Sequence, residues 1–310
     1  MSSPAGAMEA AAGSQAAQER AAVAAGALCY LFWGFLPLLF KAAAWAGAGP
    51  WEIVAWRTLW SLPAAGLIIL ATRSSGAVLQ VLRAPRTLGW LVGSALLIGT
   101  NWSTFVWAVN TGHTLDASLG YYLNPLLSVA AGLVLFREKI DPGGWAAIVL
   151  AGIGVAVQTA AHGGLPLAAL VMALSFCLYG VIRKRVAADA QTGLFVECLV
   201  LALPALAYGL WLQGSGAGHA LRPVSGLLLF LGGPATVAPL VTFAWAARRM
   251  PLSTLGFLQF IAPTMQFAIG VASGEPLPPL SILAFAFIWA GVAVYAADAW
   301  MRARRAQAVA

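Results

Sequence analysis

The sequence predicts an all-α, polytopic membrane protein with ten transmembrane helices. Of its 310 residues, 61% are hydrophobic and only 9% are charged, and the mean hydropathy is +0.85. Soluble surfaces are normally about a quarter to a third Lys, Arg, Asp and Glu. With 17 basic and 10 acidic residues, the chain has too few charges to cover a soluble protein of this length. Its apolar surface is therefore expected to face lipid.

Ten apolar runs of transmembrane length divide the chain. Each has about twenty residues, enough for a helix to cross a bilayer core roughly 30 Å thick. The runs are apolar on every face, whereas a barrel strand alternates apolar and polar residues over about ten positions. We expect helices at residues 21–40, 53–71, 88–109, 117–136, 143–161, 163–182, 193–212, 224–247, 252–273 and 277–297.

Both ends of the chain differ from these runs. Residues 1–19 are mainly Ala, Ser, Gly and Gln, with neither a periodic apolar face nor the basic start of a signal peptide. We expect a disordered cytoplasmic tail there. A short basic cytoplasmic tail is expected at residues 302–310.

The positions of Lys and Arg predict the orientation, because cations in short loops are retained on the cytoplasmic side. With the N-terminus inside, 14 of the 17 basic residues fall in cytoplasmic segments, Lys41 and Arg222 fall outside, and Arg57 lies within a span. Both termini are therefore expected to be cytoplasmic. The same bias accounts for a pI of about 9.8 without a nucleic-acid partner.

The two halves of the chain repeat each other. Thr104-Phe105-Val106-Trp107-Ala108 recurs as Thr242-Phe243-Ala244-Trp245-Ala246, and Pro125 recurs as Pro263; the ordered matches lie 136 to 141 residues apart. Five helices is an odd number, so two such units, at residues 20–161 and 162–301, would insert with opposite orientations. Inverted repeats are characteristic of secondary transporters, whose site lies between the halves near the midplane. Chance similarity between apolar helices is the alternative.

Several motifs resemble a known family over nearly the whole chain after the tail. They are Asn101-Trp102, Trp107-Ala108-Val109-Asn110, Asp116 followed by Ala117-Ser118-Leu119-Gly120-Tyr121-Tyr122, Asn124-Pro125, Ala190-Gln191-Thr192-Gly193 with Glu197, Ser253-Thr254-Leu255-Gly256-Phe257 and Phe287-Ile288-Trp289. The chain is similar to the RarD-type permeases of the EamA branch of the drug/metabolite transporter superfamily. The resemblance implies a permease of a bacterial-type inner membrane with both termini inside. It supplies no binding residues.

Arg57 is the charge that most needs an explanation. It lies six residues into its span from Trp51, about 9 Å below the outer surface by helix rise. A guanidinium in a membrane costs a few kcal/mol, roughly 2.5 to 3.5 on insertion scales, and cannot lose its proton. It therefore needs a carboxylate, backbone carbonyls or an anionic group of a substrate. Glu52 is five residues away, an awkward spacing for a pair, and snorkelling at the interface is the alternative for both.

Glu197 is the candidate for proton coupling. It lies about as deep as Arg57 but from the cytoplasmic side, next to the position that the repeat aligns with Arg57. A buried carboxyl can take up and release a proton near neutral pH, as a proton-coupled carrier requires. A structural hydrogen-bonded role is the alternative.

Amides and aromatic residues form a second group of candidates for the substrate cavity. Pockets combine apolar and aromatic walls with a few convergent polar groups. With Glu52 and Arg57, the predicted lining residues are Asn101, Trp102, Trp107, Asn110, Tyr121, Tyr122, Asn124 and Gln259. For any one residue, hydrogen bonding between helices or anchoring at the interface is the alternative.

Other classes of membrane protein fit the sequence less well. An intramembrane hydrolase needs a nucleophile with a base or a metal with ligands, but His113, His162 and His219 all fall in predicted outer loops. No metal-binding or ATP-binding motif occurs, so no metal, cofactor or enzymatic activity is expected. A channel would need a repeated polar ring, and a receptor would not need an inverted repeat.

The sequence therefore predicts a secondary carrier that exports a small organic metabolite or drug by exchange or proton coupling. The alternative is an importer or exchanger of anionic metabolites with Arg57 as the counter-charge. The expected partners are a small-molecule substrate, the lipid bilayer and a coupling proton, and a homodimer is left open.

Overall fold

The protein is an all-helical bundle. The computed structural model describes residues 4–110, 114–161, 163, 167–272 and 279–309. Every regular element in these ranges is an α-helix. The helices are α1 (Pro4–Trp45), α2 (Pro50–Ala71), α3 (Ser75–Arg83), α4 (Pro85–Asn110), α5 (Thr114–Phe136), α6 (Pro142–Ala161), α7 (Leu167–Arg185), α8 (Ala190–Gly214), α9 (Pro223–Ala247), α10 (Leu252–Leu258), α11 (Ile261–Ala272) and α12 (Pro279–Val309).

Eight of the described helices are long and apolar enough to cross a membrane, and two shorter apolar helices lie at Gly120–Phe136 and Thr254–Met265. All ten coincide with the predicted runs. Large apolar side chains such as Leu67, Leu203 and Leu210 are more than 60% exposed on the outside of the bundle. A soluble protein would not present so many of them to water. The chain is therefore a polytopic membrane protein.

Three segments differ from the expectation. Helix α1 continues back to Pro4 through the segment expected to be a tail, because its Ala, Gln and Glu residues favour helix. Helix α3 was not predicted; it is short, and it buries Val78 and Val81 on one face. The ninth run divides into α10 and α11 at Gln259 and Phe260.

Proline explains the division of the ninth run. Pro263 has no N–H, so the carbonyl of Gln259, four residues earlier, has no helical donor. Just before this point, the Gln259 N–H is shared between the carbonyls of Leu255 and Gly256, each at 3.2 Å. The chain therefore tightens into a turn before the helix resumes. The break places the Gln259 side chain at the centre of the bundle.

The bundle is organised around helix pairs from opposite halves of the chain. Helix α1 packs on α9, α2 packs between α8 and α9, and α5 packs between α7 and α10, while α6 and α12 form a pair of their own. Glycine allows the closest of these approaches. A Cβ added to Gly232 of α9 would lie 3.1 Å from the Cβ of Arg57. The buried charge of α2 is therefore in contact with a helix of the second half.

Candidate functional site

A small cavity lies at the centre of the bundle, between α1, α2, α4, α5, α7 and the α10–α11 break. Its volume is about 50 Å³. Six predicted residues line it, namely Arg57, Asn101, Trp102, Tyr121, Asn124 and Gln259. Six residues that the sequence did not single out complete the wall, namely Tyr30, Trp33, Leu36, Phe105, Phe176 and Ala262.

Arg57 supplies the positive charge of this cavity. The residue is only 3% exposed, and its Nε donates a hydrogen bond to Thr236 Oγ1 at 3.2 Å. The guanidinium carbon lies 4.5 Å from the centre of the Trp102 ring and 4.8 Å from that of Phe40. Among the described residues, no carboxylate forms an ion pair with it. Among the described residues, one hydroxyl and two aromatic rings therefore hold the cation, and none of them takes its terminal N–H donors, which suit an anion.

The three amides of the cavity are held differently. Asn101 Nδ2 donates to the Met172 carbonyl at 2.8 Å and to Ser175 Oγ at 3.2 Å. Gln259 Nε2 donates to Ser128 Oγ at 2.9 Å. The Asn124 Oδ1 and Gln259 Oε1 atoms are both buried and accept no hydrogen bond within the described part of the chain. A buried acceptor without a donor is costly, so these oxygens suit a ligand that donates hydrogen bonds.

Aromatic rings form the remaining walls. Trp33 meets Phe176 edge to face, with ring centres 5.6 Å apart, and Tyr121 meets Phe105 in the same way at 5.3 Å. Such pairs hold each other in one orientation. The cavity therefore combines a cation, an unpaired acceptor and a rigid aromatic enclosure, the composition expected of a site for a small organic solute.

The other predicted cavity residues lie elsewhere or outside the described side chains. Tyr122 is 1% exposed and packs against Phe285 in a separate apolar cluster, with ring centres 5.1 Å apart. Trp107 lines a groove between α2, α4, α7 and α8 rather than the central cavity. The side chain of Asn110 lies outside the described residues. Helix periodicity explains Tyr122, because neighbouring residues point in directions about 100° apart.

Glu52 binds the loop between α8 and α9 instead of the cavity. Its carboxylate accepts hydrogen bonds from the His219 backbone N–H at 2.5 Å and lies 3.0 Å from His219 Nδ1. Ser225 Oγ in turn donates to the His219 carbonyl. Glu52 thus joins the start of α2 to the loop between α8 and α9. Its role in the structure is to fix that loop.

Glu197 is part of a buried polar cluster, away from the residues that line the cavity. Its carboxylate accepts a hydrogen bond from Ser94 Oγ at 2.5 Å and one from the Tyr179 hydroxyl at 3.4 Å. Arg183 Nη1 lies 3.5 Å from Glu197 Oε1. Both charged side chains are almost fully buried, at 0% and 1% exposure. The carboxylate is therefore paired and hydrogen-bonded.

Arg183 corrects one part of the sequence analysis, which counted it among the cytoplasmic loop cations. The structure buries it in the last turn of α7. Its Nη2 donates to the carbonyls of Asp189 and Ala190, and a Cβ on Gly193 would overlap its guanidinium. The Ala-Gln-Thr-Gly motif ahead of Glu197 therefore forms the binding place for a buried arginine. Spacing alone could not show this, because Arg183 looks like any basic residue that ends a transmembrane helix.

Two hydroxyls that hold the side chains of the cavity are not among the residues that the sequence predicts. Thr236 and Ser128 receive the Arg57 and Gln259 hydrogen bonds, and single hydroxyls in apolar runs give only a weak signal. Within the described residues, no group of three or more His, Cys, Asp or Glu could hold a metal ion.

A helical bundle of transmembrane length, with a cation and amides enclosed at its centre, defines the chain as a membrane transporter. Residues 20–159 match the EamA-like transporter family. Together with its relatives, this shows that the chain belongs to that family, as a RarD-type permease. It is a multi-pass protein of the inner membrane.

The relatives cover almost the whole chain. "Protein RarD" of Streptomyces exfoliatus is 40% identical over 300 residues, 94% of this chain and 93% of the relative. "Protein RarD" of Escherichia coli K12 is 38% identical over 293 residues, 94% and 98% of the two chains. An uncharacterized transporter of Vibrio cholerae is 40% identical over 284 residues, 90% and 93%. A protein of known crystal structure shares the fold, with a TM-score of 0.68 at 22% identity over 92% of this chain and 98% of that one.

Proposed function

We propose that the chain is a secondary carrier that exports a small organic solute bearing an anionic group, and that Arg57 binds this group. The observation that carries the proposal is a buried guanidinium that lines the central cavity without a carboxylate partner among the described residues. Membrane proteins place intramembrane charges where a substrate or ion passes. An anion at Arg57 would supply the missing counter-charge.

Asn124 narrows the chemistry of the solute. Its unpartnered Oδ1 accepts hydrogen bonds only, and it lines the same cavity as the Arg57 donors. A solute with an anionic group and a nearby O–H or N–H donor would satisfy both residues at once.

The proposed architecture consists of two inverted halves of five crossings each, with both termini in the cytoplasm. The ordered sequence matches support it, and so does the cation bias: with the buried Arg183 set aside, 13 of the other 16 basic residues fall in segments that this topology places in the cytoplasm. Helix α2 contacts α8 and α9 of the second half, as a cavity between the halves requires. Tags at the two termini that reacted from different sides of the membrane would exclude this arrangement.

We propose exchange of one solute for another as the coupling. A proton on Glu197 is the other candidate, but Glu197 is paired with Arg183 at 3.5 Å and is not among the residues that line the central cavity. The test measures two rates in proteoliposomes: solute exchange, and transport driven by an imposed pH gradient. Glu197→Gln is expected to change the second rate no more than the first. Loss of the pH response with exchange retained would instead assign the coupling proton to Glu197.

The function is tested by comparing intracellular and extracellular metabolites of deletion and overexpressing cells. Overexpression is expected to raise anionic solutes outside the cell, and Arg57→Gln to abolish that rise. Arg249→Gln is the matched control, because Arg249 also stacks on a tryptophan, 4.3 Å from the Trp245 ring, but is exposed. Export of neutral or cationic solutes only, or full export by Arg57→Gln, would contradict the proposal.

A further inference from the structure

A large apolar groove lies beside the central cavity, between α2, α4, α7 and α8. Its volume is about 1010 Å³, and no charged side chain of the described residues lines it. The polar groups of its lining residues are hydroxyls, among them those of Thr58 and Ser103, and the indole N–H groups of three tryptophans. Gly99 and Leu201 lie on the groove where α4 approaches α8. The groove is therefore a space for an apolar body with room for a few hydrogen bonds.

Part of the groove wall is exposed on the apolar outside of the bundle. Leu96, which lines it, is 59% exposed, and Leu203 and Leu206 are exposed on the adjoining face of α8. Leucines exposed on a membrane-spanning bundle face acyl chains. The groove also extends to Trp51 and Leu167, which lie at helix ends that the proposed topology places at the outer surface.

The groove and the Arg57 cavity share one lining residue among those described. Trp102 lines both spaces, and its ring is the one that lies 4.5 Å from the guanidinium carbon of Arg57. Thr58, the residue after Arg57 on α2, lies on the groove side. Trp102 is therefore the point at which the two spaces meet.

The volumes of the cavity and the groove limit the size of the ligand that each can hold. A space of about 50 Å³ takes a few waters or one carboxylate, whereas even a small drug-like solute needs roughly 300 Å³ or more. We infer that the groove is a binding site for the apolar body of the transported anion, and that the solute passes between α4 and α8 through the bilayer, with Trp102 as the gate. This rests on the proposed function. The substrate class that follows is an amphipathic carboxylate.

Charge supports this occupant over a lipid tail alone. No charged side chain of the described residues lines the groove, and the Arg57 guanidinium carbon lies 4.5 Å from the ring of Trp102, with no carboxylate partner among those residues. An acyl chain of a phospholipid would keep its headgroup at the interface and leave Arg57 without an anion. An amphipathic carboxylate satisfies both spaces with one molecule.

The test measures binding of dansyl-labelled undecanoate and of its methyl ester to the purified full-length protein, from dansyl fluorescence excited directly. Ala205→Phe and Val171→Phe fill the groove from α8 and α7. Ala286→Phe is the matched control, because Ala286 is exposed on α12, away from the groove. Each groove variant is expected to raise the Kd of the carboxylate about tenfold, and the control to leave it unchanged. Two variants are used so that failure of one to fold does not decide the result.

The second half of the test separates this inference from the proposed function. Arg57→Gln is expected to raise the Kd of the carboxylate about tenfold and to leave that of the ester unchanged. If Arg57→Gln weakens binding but neither groove variant does, the anion site stands and the groove is not its route. If carboxylate and ester bind equally and only the groove variants matter, the groove holds lipid chains and the inference is wrong.

Discussion

Arg57 and Glu197 occupy nearly corresponding places in the two halves of the chain, and the structure treats them in opposite ways. Each is a buried charge within a transmembrane helix, 3% and 1% exposed. Arg57 has one hydrogen bond to a hydroxyl and faces a cavity, whereas Glu197 has a cation and two hydroxyls around it. The comparison shows that depth in the membrane does not distinguish a binding charge from a structural one. The number of partners does.

The neighbouring helices show how the sequence produces this difference. Gly232 of α9 contacts Arg57, and the position 138 residues earlier is Ser94, whose hydroxyl donates to Glu197. Glycine brings a backbone close and offers the charge no side-chain group. Serine offers a donor. This residue difference between the halves contributes to the contrast, to which Arg183 and Tyr179 add on the side of Glu197.

The largest effect is expected for Arg183→Gln. It would leave Glu197 as an uncompensated buried charge, which costs about 3–5 kcal/mol. The measurement is the thermal unfolding of the protein in detergent, with yield from membranes as a second readout. The double variant Arg183→Met, Glu197→Leu removes both charges and is expected to recover most of the stability. Unfolding of Arg183→Gln at the wild-type temperature would show that the pair is not structural.

Arg57→Gln is expected to have the opposite profile. Because no ion pair of the described residues is lost, its unfolding temperature should stay close to that of the wild type. Affinity for an anionic solute should fall at least tenfold, or about 1.4 kcal/mol or more. Equilibrium binding and unfolding are measured on the same preparation. A loss of stability as large as that of Arg183→Gln would show that Arg57, like the Arg183–Glu197 pair, has a structural role.

Asn124→Asp tests whether Arg57 is available to an anion, and its expected effect on affinity is smaller than that of Arg57→Gln. A carboxylate on the same cavity wall would offer Arg57 an internal anion and compete with the solute. We expect binding of an anionic solute to weaken several-fold and the unfolding temperature to rise. Asn124→Leu is the control, because it also removes the amide but adds no charge. Equal effects of the two variants would show that the amide itself, rather than competition for Arg57, is what matters.

The smallest effect is expected for Glu52→Gln. Gln can still accept the His219 backbone hydrogen bond but loses its charge, so a destabilisation of about 1 kcal/mol is expected. Solute affinity should not change, because Glu52 does not line the central cavity. The unfolding temperature in detergent and the Kd of the solute are measured on the same preparation. A large loss of affinity would show that Glu52 belongs to the substrate site, as the sequence predicts.

Much of the fold could be predicted from the sequence, because hydrophobic length alone identifies a transmembrane helix. All ten runs coincide with helices of the structure. The short helix α3 and the α10–α11 break could not be found in this way. Amphipathic patterns in nine residues are weak, and a proline within a membrane helix more often bends it than divides it.

Chemical type predicted the candidates for the site, but not which of them meet. Arg57 and Asn101 lie on the inner faces of α2 and α4, and Gln259 lies at the α10–α11 break, so the three converge on one cavity. Tyr122 and Glu52 have equally suitable side chains, but their helices turn them toward an apolar cluster and the loop between α8 and α9. The orientation of each helix depends on packing between distant segments, which a single sequence does not report.

The prolines of the bundle have a consequence for mutational scanning of the cavity. Pro125 lies four residues after Tyr121, and Pro263 lies four residues after Gln259, with the same interval of 138 between the halves. Each proline leaves the main-chain oxygen of a cavity-lining residue without its helical donor. Replacing Tyr121 or Gln259 by alanine would remove the side chain and keep that oxygen. The free carbonyls at these two points therefore belong to the backbone, and only replacement of the prolines would restore a helical donor to them.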